Sequence, residues 1–242
     1  MTEILKRLSI IVPFHGADLN WKDLLQDLRP LPKNAEIILV GPDEPSAEIL
    51  AKASESMVAH VRYVRAPKGR GVQLNVGAKA AANDFFWFLH ADSKIPRPSL
   101  FLLSQALLAD PGAVYFFDLQ FLDDGPKVML LNSMGANFRS RYLGMPFGDQ
   151  GFAMSRARFY RIGGFVENAS YGEDHLFIWQ ARRKRVPVRR IAAPIFTSAR
   201  RYESCGWVVL TSRRLYLTYR QAAREIIKLA KVRAIECARE KL

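Results

Sequence analysis

Strand-like and helix-like segments alternate through the first half of this chain. Apolar runs typical of buried strands cover residues 8–14, 35–40, 61–66 and a run that begins at Phe85. Segments with helical periodicity lie between them, over residues 18–31, 45–56 and 71–83. Strands that alternate with helices predict a parallel sheet with helices on both faces. Since crossovers between parallel strands are right-handed, we expect this half to be Rossmann-like.

The second half of the chain predicts a mixture of further elements. The pattern favours strands at 112–122 and 186–192, and antiparallel pairing is left open for the first of them. It favours helices at 126–141, 155–165 and 172–185, one or two long helices over 207–241, and a loop over 142–151. No internal repeat, low-complexity tract or linker interrupts the sequence. We therefore expect an α/β fold of one domain, residues 1–206, with a helical tail over residues 207–242.

The basic charge is concentrated in the last quarter of the chain. The formal net charge is +13; residues 182–242 carry 17 Lys and Arg against 4 Asp and Glu, a surplus of 13, so residues 1–181 are neutral. Such a block can face nucleic acid, anionic lipid or a phosphate-bearing ligand. Apart from Trp207, Tyr216 and Tyr219, aromatic residues are not interleaved with the basic ones as a base-stacking platform requires. This argues against nucleic acid as a partner.

The cysteine usage and the lengths of the apolar runs favour the cytoplasm. Cys205 and Cys237 lie far apart, which suggests a reducing compartment without a disulfide framework or a cysteine metal site. The first apolar stretch is typical of a strand rather than of a signal peptide, and no run approaches the roughly 18 apolar residues of a bilayer span. We expect a cytoplasmic protein, with peripheral contact to the inner face of the membrane left open.

Polar residues follow the buried strand that begins at Phe85. The sequence FFWFLHADSKIP, residues 85–96, places His90, Asp92 and Ser93 where that strand ends. Ligands of open α/β sheets bind at the carboxyl ends of the strands. Asp92 is therefore a candidate ligand for a divalent cation held by a diphosphate, although an acid at this place can equally cap the next helix.

Three further clusters are candidates for chemistry. In KGRGVQLNVGAKAAA two glycines flank Arg70 before a helix, whose N-terminal amides suit an anion, although the glycines also fit a plain turn. The loop PFGDQGF, residues 146–152, contains Asp149. In YGEDHLF, Glu173 and Asp174 open a helix. Adjacent acids raise each other's pKa, which suits a general base, but helix capping alone also explains them.

These clusters occur in the order found in family-2 glycosyltransferases, which the chain resembles over about residues 8 to 207. The segments that carry the resemblance are SIIVPF, KGRGVQLNVGAKAAANDFFWFLHADS, GDQGFAMSRARFYRIGGF, GEDHLF and TSARRYESCGW. They are most similar to a small bacterial subset whose metal motif is His-Ala-Asp followed by Ser or Thr. The resemblance implies a GT-A fold, a nucleotide-sugar donor, Mn²⁺ or Mg²⁺ as cofactor, and inversion of the anomeric centre.

The resemblance also implies roles for individual residues. Asp92 would bind the metal, with His90 at the first position of the family's Asp-x-Asp motif. Asp174 or Glu173 would be the general base. The candidate donor-binding residues are Pro13, Asp43, Arg70, Asn75, His90, Ala91, Asp92, Arg200 and Arg201. The candidate acceptor-side residues are Asp149 and Gln150.

Two segments depart from the family pattern. Many members carry an acid after the second strand that contacts the base of the donor, but this chain reads VGPDEPS, with Gly41 at that place and Asp43 two residues later. After the first strand, where Asn followed by Glu is common, PFHGAD offers His15 and Asp18. The resemblance therefore does not decide whether the donor carries uracil.

The chemistry of an inverting transfer accounts for these residue types. A carboxylate removes the proton of the acceptor hydroxyl, while a metal and arginines neutralise the departing nucleoside diphosphate. Two alternatives stay open: a sugar-phosphate nucleotidyltransferase, and a non-catalytic protein that binds nucleotide sugars or nucleic acid. The segment PFHGADLN is poorer in glycine than the loop expected of the nucleotidyltransferase.

The tail combines an apolar stripe with basic residues. The stripe recurs at three- and four-residue steps, at Leu215, Tyr219, Ala222, Ile226 and Leu229. The basic residues lie largely elsewhere on the same helix, at Arg213, Arg220, Arg224, Lys228 and Lys231. Such a helix can lie on an anionic membrane, close to a lipid-linked acceptor, or can cover the protein's own sheet or a second subunit of a homodimer. The sequence does not distinguish a lipid-linked acceptor from a glycan.

Overall fold

The computed structural model describes residues 2–15, 19–55 and 57–239 and, within these ranges, the side chains of residues 3–231. A seven-stranded sheet lies at the centre of the described chain. Its strands are β1 (Leu8–Pro13), β2 (Glu36–Gly41), β3 (His60–Arg65), β4 (Phe85–Phe88), β5 (Val114–Phe121), β6 (Phe152–Ser155) and β7 (Val188–Thr197). The helices are α1 (Thr2–Lys6), α2 (Trp21–Asp27), α3 (Ala47–Ser54), α4 (Arg70–Ala80), α5 (Arg97–Ala109), α6 (Met129–Leu143), α7 (Arg156–Ile162), α8 (Glu173–Arg183), α9 (Arg200–Cys205) and α10 (Trp207–Arg239).

The strand order places a switch point at the middle of the sheet. The order is β3-β2-β1-β4-β6-β5-β7. Neighbouring strands run parallel except at β6, which is antiparallel to both β4 and β5. The chain moves outward from β1 to β3 and then places β4 on the other side of β1. Ligands of open α/β sheets bind where the strand order reverses in this way, beside the carboxyl ends of β1 and β4.

The central strands are buried on both faces, and α4 packs closely on two of them. Every residue of β2 and β4 is buried, as are the first five residues of β1. A Cβ on Gly77 would lie 2.5 Å from Ile11 and 2.9 Å from Val40, so only glycine allows this helix to approach the sheet so closely. The close approach fixes the first turn of α4, where Arg70 begins the helix.

The structure confirms the parallel half predicted from the sequence. The strands predicted at 8–14, 35–40 and 61–66 are β1, β2 and β3, and the apolar run from Phe85 is β4. The prediction omits α5, although Leu100, Leu103 and Leu107 recur at helical spacing and are buried in the core. It also omits the short helices α1 and α9.

The antiparallel strand is not the segment 112–122, for which the sequence left antiparallel pairing open. The segment predicted at 112–122 is β5, which runs parallel to β7. The antiparallel strand is β6, which fills the unassigned gap between the predicted loop 142–151 and the helix predicted over 155–165. Because β6 has only four residues, it is too short for a periodicity to reveal it. β7 also continues past the predicted end at 192, with alternate residues buried up to Thr197.

The tail is one helix, and most of the apolar stripe found in its sequence does not pack on the domain. Of the apolar stripe, only Ala222 and Leu229 pack against the core, whereas Leu215, Tyr219 and Ile226 are exposed. Polar side chains of the helix also bond the domain, at Arg214, Thr218, Gln221 and Glu225. Within the described residues, no helix combines the length and the apolar character needed to cross a bilayer. Residues 240–242 of the predicted tail lie outside the described residues.

Candidate active site

His90 and Asp92 lie at the carboxyl end of β4, at the switch point of the sheet. Nδ1 of His90 is 4.0 Å from Oδ1 of Asp92, and the two side chains are 19% and 31% exposed. Nε2 of His90 is buried and has no hydrogen-bond partner. Burial lowers the pKa of His90 well below its ordinary value, and the charges of Arg70, Arg214 and Arg201 lower it further. The imidazole is therefore neutral at physiological pH, the form that binds metal ions.

These two residues fit a cation that takes its other ligands from a substrate. Among the residues that the structure describes, no group of three or more His, Cys, Asp and Glu side chains could hold a metal ion. A pair of protein ligands is the usual arrangement where diphosphate oxygens and water complete the coordination of Mg²⁺ or Mn²⁺. The unpartnered Nε2 of His90 is a donor atom of the right kind for such a cation.

Two carboxylates open α8 and face the same cleft. Oδ2 of Asp174 accepts a hydrogen bond of 2.6 Å from the backbone N–H of Gly148. Nε of Arg70 lies 3.1 Å from Oε1 of Glu173, an ion pair without the alignment of a hydrogen bond. Burial and the neighbouring charge of Asp174 raise the pKa of Glu173, while Arg70 opposes the rise. A small cavity between α4 and α8 is lined by residues that include Arg70, His90, Gly148 and Asp174.

Asp149 is a third acid at the cleft and the most perturbed one. Its Oδ1 is buried without a hydrogen-bond partner. Burial raises its pKa to about 6, with a further contribution from the charge of Asp174 and opposition from Arg139 and Arg70. A buried carboxylate in this condition is characteristic of functional sites. The short 3-10 turn Gly148–Gln150 that carries it leads directly into β6.

Two predicted site residues use their side-chain amides for hydrogen bonds within the chain. Gln150 is fully buried; its side chain accepts hydrogen bonds from Ser140 and the backbone of Phe147 and donates one to the carbonyl of Phe117. These contacts hold the turn that carries Asp149 in place. The side chain of Asn75 bonds the backbone of Phe165 at both its N–H and its carbonyl. It joins α4 to the loop before α8 and does not enter the cleft.

The other predicted donor-side residues lie around the same edge of the sheet. Pro13 ends β1, Asp43 is exposed just beyond β2, and Ala91 separates His90 from Asp92. Arg200 is held by Asp124, at 3.3 Å, and by the hydroxyl of Ser198, at 3.0 Å. Arg201 is exposed, and its charge acts on His90. Asp18 lies outside the described residues, and His15, beside it, is exposed.

Sequence reasoning missed two arginines that the fold brings to the cleft. The guanidinium of Arg139, on α6, lies 3.7 Å over the ring of Phe147, and its charge acts on Asp149. Arg214, on α10, donates a 2.7 Å hydrogen bond to the hydroxyl of Tyr202, and its charge acts on both His90 and Asp149. For Arg214 the one signal in the sequence is that it interrupts the apolar run WVVLTSRRLYLTY.

α10 also holds the loop that carries the two α8 carboxylates. Gln221 donates a 2.7 Å hydrogen bond to the carbonyl of Tyr171, and its amide oxygen contacts Nδ1 of His175. Nε2 of His175 accepts a hydrogen bond from the indole of Trp179, at 3.1 Å, so the imidazole proton lies on Nδ1 and is donated to Gln221. The hydroxyl of Tyr171 contacts Thr218 on the same helix, at 3.1 Å. These contacts fix the backbone on either side of Glu173 and Asp174.

Solved structures show what this architecture resembles. The chain matches TarS of S. aureus in complex with UDP-GlcNAc with a TM-score of 0.61 and 20% identity, over 80% of this chain and 59% of that one. It matches the mannosyltransferase PcManGT of Pyrobaculum calidifontis, in complex with GDP-Man and Mn²⁺, with a TM-score of 0.67 and 16% identity, over 90% of this chain and 64% of that one. The chain thus spans about three fifths of the length of these proteins, and the similarity confirms the fold.

The family follows from the sequence match. Comparison with curated proteins gives no significant match. The family model for glycosyl transferase family 2 matches residues 9–163, which include nearly all of β1, all of β2 to β4, Asp149 of the 3-10 turn and the residues His90 and Asp92. The sheet with its single antiparallel strand is the GT-A fold expected from the resemblance. The chain belongs to glycosyl transferase family 2.

Proposed function

We propose that this chain transfers a sugar from a nucleotide-sugar donor to an acceptor hydroxyl, with inversion of the anomeric carbon and with the help of a divalent cation. One observation carries the proposal: two kinds of side chain lie close together at one edge of the sheet. They are the pair His90 and Asp92, and the carboxylates of Asp149, Glu173 and Asp174. The pair can hold the cation of a diphosphate, and the carboxylates can accept the proton of a hydroxyl.

The structures similar in fold support a nucleotide sugar as the donor. TarS is in complex with UDP-GlcNAc, and PcManGT is in complex with GDP-Man. The base that this chain prefers is left open, because the acid common after the second strand is replaced by Gly41. A Cβ at Gly41 would lie 3.0 Å from the ring of Phe14, so a larger residue would have to displace that ring. We assign contact with the base to Asp43, which is exposed at the same edge.

His90 and Asp92 would hold the cation, Mn²⁺ or Mg²⁺. The cation, when bound, neutralises negative charge that develops on the leaving diphosphate. A site with an imidazole nitrogen favours Mn²⁺ over Mg²⁺, which prefers oxygen ligands throughout. Arg70, Arg201 and Arg214, whose charges already act on His90, would add positive charge around the same diphosphate.

Asp174 is the proposed general base. The backbone N–H of Gly148 holds one of its oxygens, and the backbone of His175 bonds the other, at 2.7 Å. These bonds fix the direction of the carboxylate toward the cleft, which proton transfer in an inverting displacement requires. Glu173, held beside Arg70, and Asp149 would orient the acceptor.

The proposal also covers the acceptor molecule and the cellular compartment. We propose a hydroxyl of a lipid-linked molecule or of a glycan as the acceptor, and the cytoplasm as the compartment. The side chain of Cys205 is an exposed free thiol, which a reducing compartment keeps in that state.

A screen of nucleotide sugars tests the proposal. Thermal shift with and without Mn²⁺ should identify a donor whose binding raises the melting temperature only when the cation is present. Turnover of that donor should then release a nucleoside diphosphate. Release of pyrophosphate from a nucleoside triphosphate and a sugar phosphate would instead identify a nucleotidyltransferase. Binding without release of either product, across a panel of acceptors, would identify a non-catalytic nucleotide-sugar-binding protein.

A further inference from the structure

The outward sides of α6 and α10 carry a concentration of exposed apolar side chains. Each of these side chains is between 55% and 78% exposed. We call the set the α6–α10 apolar face; it consists of Leu130, Leu131, Met134, Phe138 and Tyr142 on α6 and of Val208, Val209, Leu215, Tyr216, Tyr219, Ile226 and Ile227 on α10. Clustered exposure of large apolar side chains marks a surface that contacts another apolar phase or a partner.

Hydrogen bonds join α6 to the first turns of α10, so the two sets of apolar side chains lie on neighbouring helices. The indole of Trp207 donates to Oδ1 of Asn132, at 2.8 Å, and the amide of Asn132 contacts the hydroxyl of Thr211, at 3.2 Å. Thr211 therefore marks the side of α10 that faces α6. At about 100° per residue, Leu215 and Tyr219 follow Thr211 on the outward side of α10. The apolar part of α10 thus borders α6 directly.

The next part of α10, turning further from α6, is basic. At the same angle per residue, Arg213, Arg220, Arg224 and Lys231 lie beyond the apolar positions, and all of them are exposed. The described side chains of α10 include one acid, Glu225, and it is buried against Arg183 and Lys228. The helix therefore has three sides: a polar side on the domain, an apolar side next to α6, and a basic side.

We propose that the α6–α10 apolar face docks on the surface of an anionic lipid bilayer, with the basic side of α10 against the lipid headgroups. An exposed apolar side bordered by Lys and Arg is the pattern of helices that lie in a membrane interface. Phe138, Tyr142, Tyr216 and Tyr219 supply aromatic rings of the kind found at that depth. A second copy of the chain suits the face less well, because two-fold pairing would bring two basic sides together without exposed acids on α10 to match them.

The docked orientation would bring the candidate active site close to the membrane. Arg214, on the domain side of α10, bonds Tyr202 and lies within electrostatic reach of His90 and Asp149. The same helix therefore borders both the cleft and the apolar face. This part of the inference rests on the proposed function, and it assigns the acceptor hydroxyl to a membrane-anchored molecule, whose reacting end would enter the cleft from the lipid side.

Flotation of the full chain with vesicles tests the docking. Binding should be strong to vesicles of equal parts phosphatidylcholine and phosphatidylglycerol, weak to phosphatidylcholine alone, and should fall as salt is added. Phe138→Glu and Leu215→Glu should each lower the partition coefficient by about tenfold or more. Arg220→Gln and Arg224→Gln should each lower it by about fivefold. Leu108→Glu is the matched control, since Leu108 is a leucine of similar exposure, 66%, on α5 and should leave binding unchanged.

Three outcomes would overturn the proposal. The intact chain could fail to float with anionic vesicles at low salt. Alternatively, Phe138→Glu could float with the vesicles to the same extent as the unchanged chain. Light scattering could also find a dimer that Phe138→Glu dissociates while neither form binds vesicles, which would make the face a subunit interface. The proposed function is tested separately, because release of nucleoside diphosphate from a water-soluble donor needs no vesicle and should be unchanged in Phe138→Glu.

Discussion

At the scale of single residues, the proposed cation site consists of two unlike side chains, an imidazole and a carboxylate. His90 occupies the first position of the family's Asp-x-Asp motif, as in the His-Ala-Asp subset that the chain resembles, and it keeps a buried nitrogen without a hydrogen-bond partner. Its low pKa keeps the imidazole neutral, so protons do not compete with a cation at that nitrogen over the physiological range. Asp92 then supplies the only negative charge of the pair. The two residues therefore make separable contributions, which substitution can distinguish.

Asp92→Asn should remove most of the metal-dependent activity while the protein stays folded. The carboxamide keeps the shape of the side chain but loses its charge, so the Mn²⁺ concentration at half-maximal activity should rise by about tenfold or more. A titration of donor turnover with Mn²⁺ measures this, and circular dichroism checks the fold. Asp123→Asn, at an exposed acid outside the cleft, is the control. Full activity of the unchanged protein in excess EDTA would contradict a role for the cation.

Asp174→Asn should lower turnover by about 10²–10⁴-fold with little change in donor affinity, because it removes a general base and leaves the donor side intact. An asparagine oxygen can still accept the hydrogen bond from Gly148, so the turn should persist. Steady-state kinetics and donor binding by calorimetry separate the two effects. Glu173→Gln is the matched comparison. Unchanged turnover in Asp174→Asn would assign the base to Glu173 or Asp149.

Asp149 should make the protein less stable as the pH rises. Its pKa is about 6 in the folded chain, against about 3.9 when unfolded, so the folded state binds more protons between these values. Asp149 should therefore contribute a fall of about 3 kcal/mol in the free energy of unfolding as pH rises from about 4 to 6, opposite in sign to the contributions of Glu36, Asp118 and Glu225, whose pKa values are lowered. Asp149→Asn should remove this contribution and melt at a higher temperature than the unchanged protein at pH values above 6, without metal or donor. Equal melting temperatures of the two proteins above pH 6 would show that burial of the ionised Asp149 does not lower the free energy of unfolding.

At the scale of elements, α10 is part of the support of the active site. Gln221→Ala removes contacts with Tyr171 and His175 on either side of the two acids of α8. Loss of buried hydrogen bonds should destabilise the protein by about 1–3 kcal/mol, and loosening of the acids should lower turnover more than donor affinity. Chemical denaturation and kinetics measure both. Gln105→Ala, on the exposed side of α5, is the control. Turnover equal to that of the unchanged protein in Gln221→Ala would contradict the idea that Gln221 positions the two acids of α8.

Apart from α5, the sequence predicted the elements that are long and periodic, and the residues that follow them. The four parallel strands, their helices and the places of His90, Asp92, Glu173 and Asp174 are of this kind. β6 escaped prediction because four residues show no period. Gln150 and Asn75 lie in segments assigned to the site, but sequence does not reveal that their amides turn toward buried backbone. Arg139 and Arg214 reach the cleft from α6 and α10, and only the packing of distant segments brings them there.

At the scale of the whole molecule, the basic last quarter is not an independent tail. Ala222 and Leu229 pack on the core, and Glu225 pairs with Arg183 of α8. A chain ended after Gly206 should therefore melt lower by about 10 °C and lose turnover even with a soluble acceptor. Differential scanning calorimetry measures the first effect. An unchanged melting temperature would mean that α10 is an appendage whose contacts add nothing to stability.

The single antiparallel strand has a consequence for how the protein could diversify. β5 ends at the edge of the sheet that carries His90, and β6 begins at that edge, since Phe152 pairs with Phe88. Residues 122–151 thus leave the sheet and return to it at the same edge, carrying with them α6, Arg139 and Asp149. Such an excursion can be lengthened, shortened or replaced without altering the strand order. Exchange of residues 122–151 between relatives would be the simplest route to a new acceptor, because β1 to β4 and the residues proposed to bind the donor there would stay unchanged.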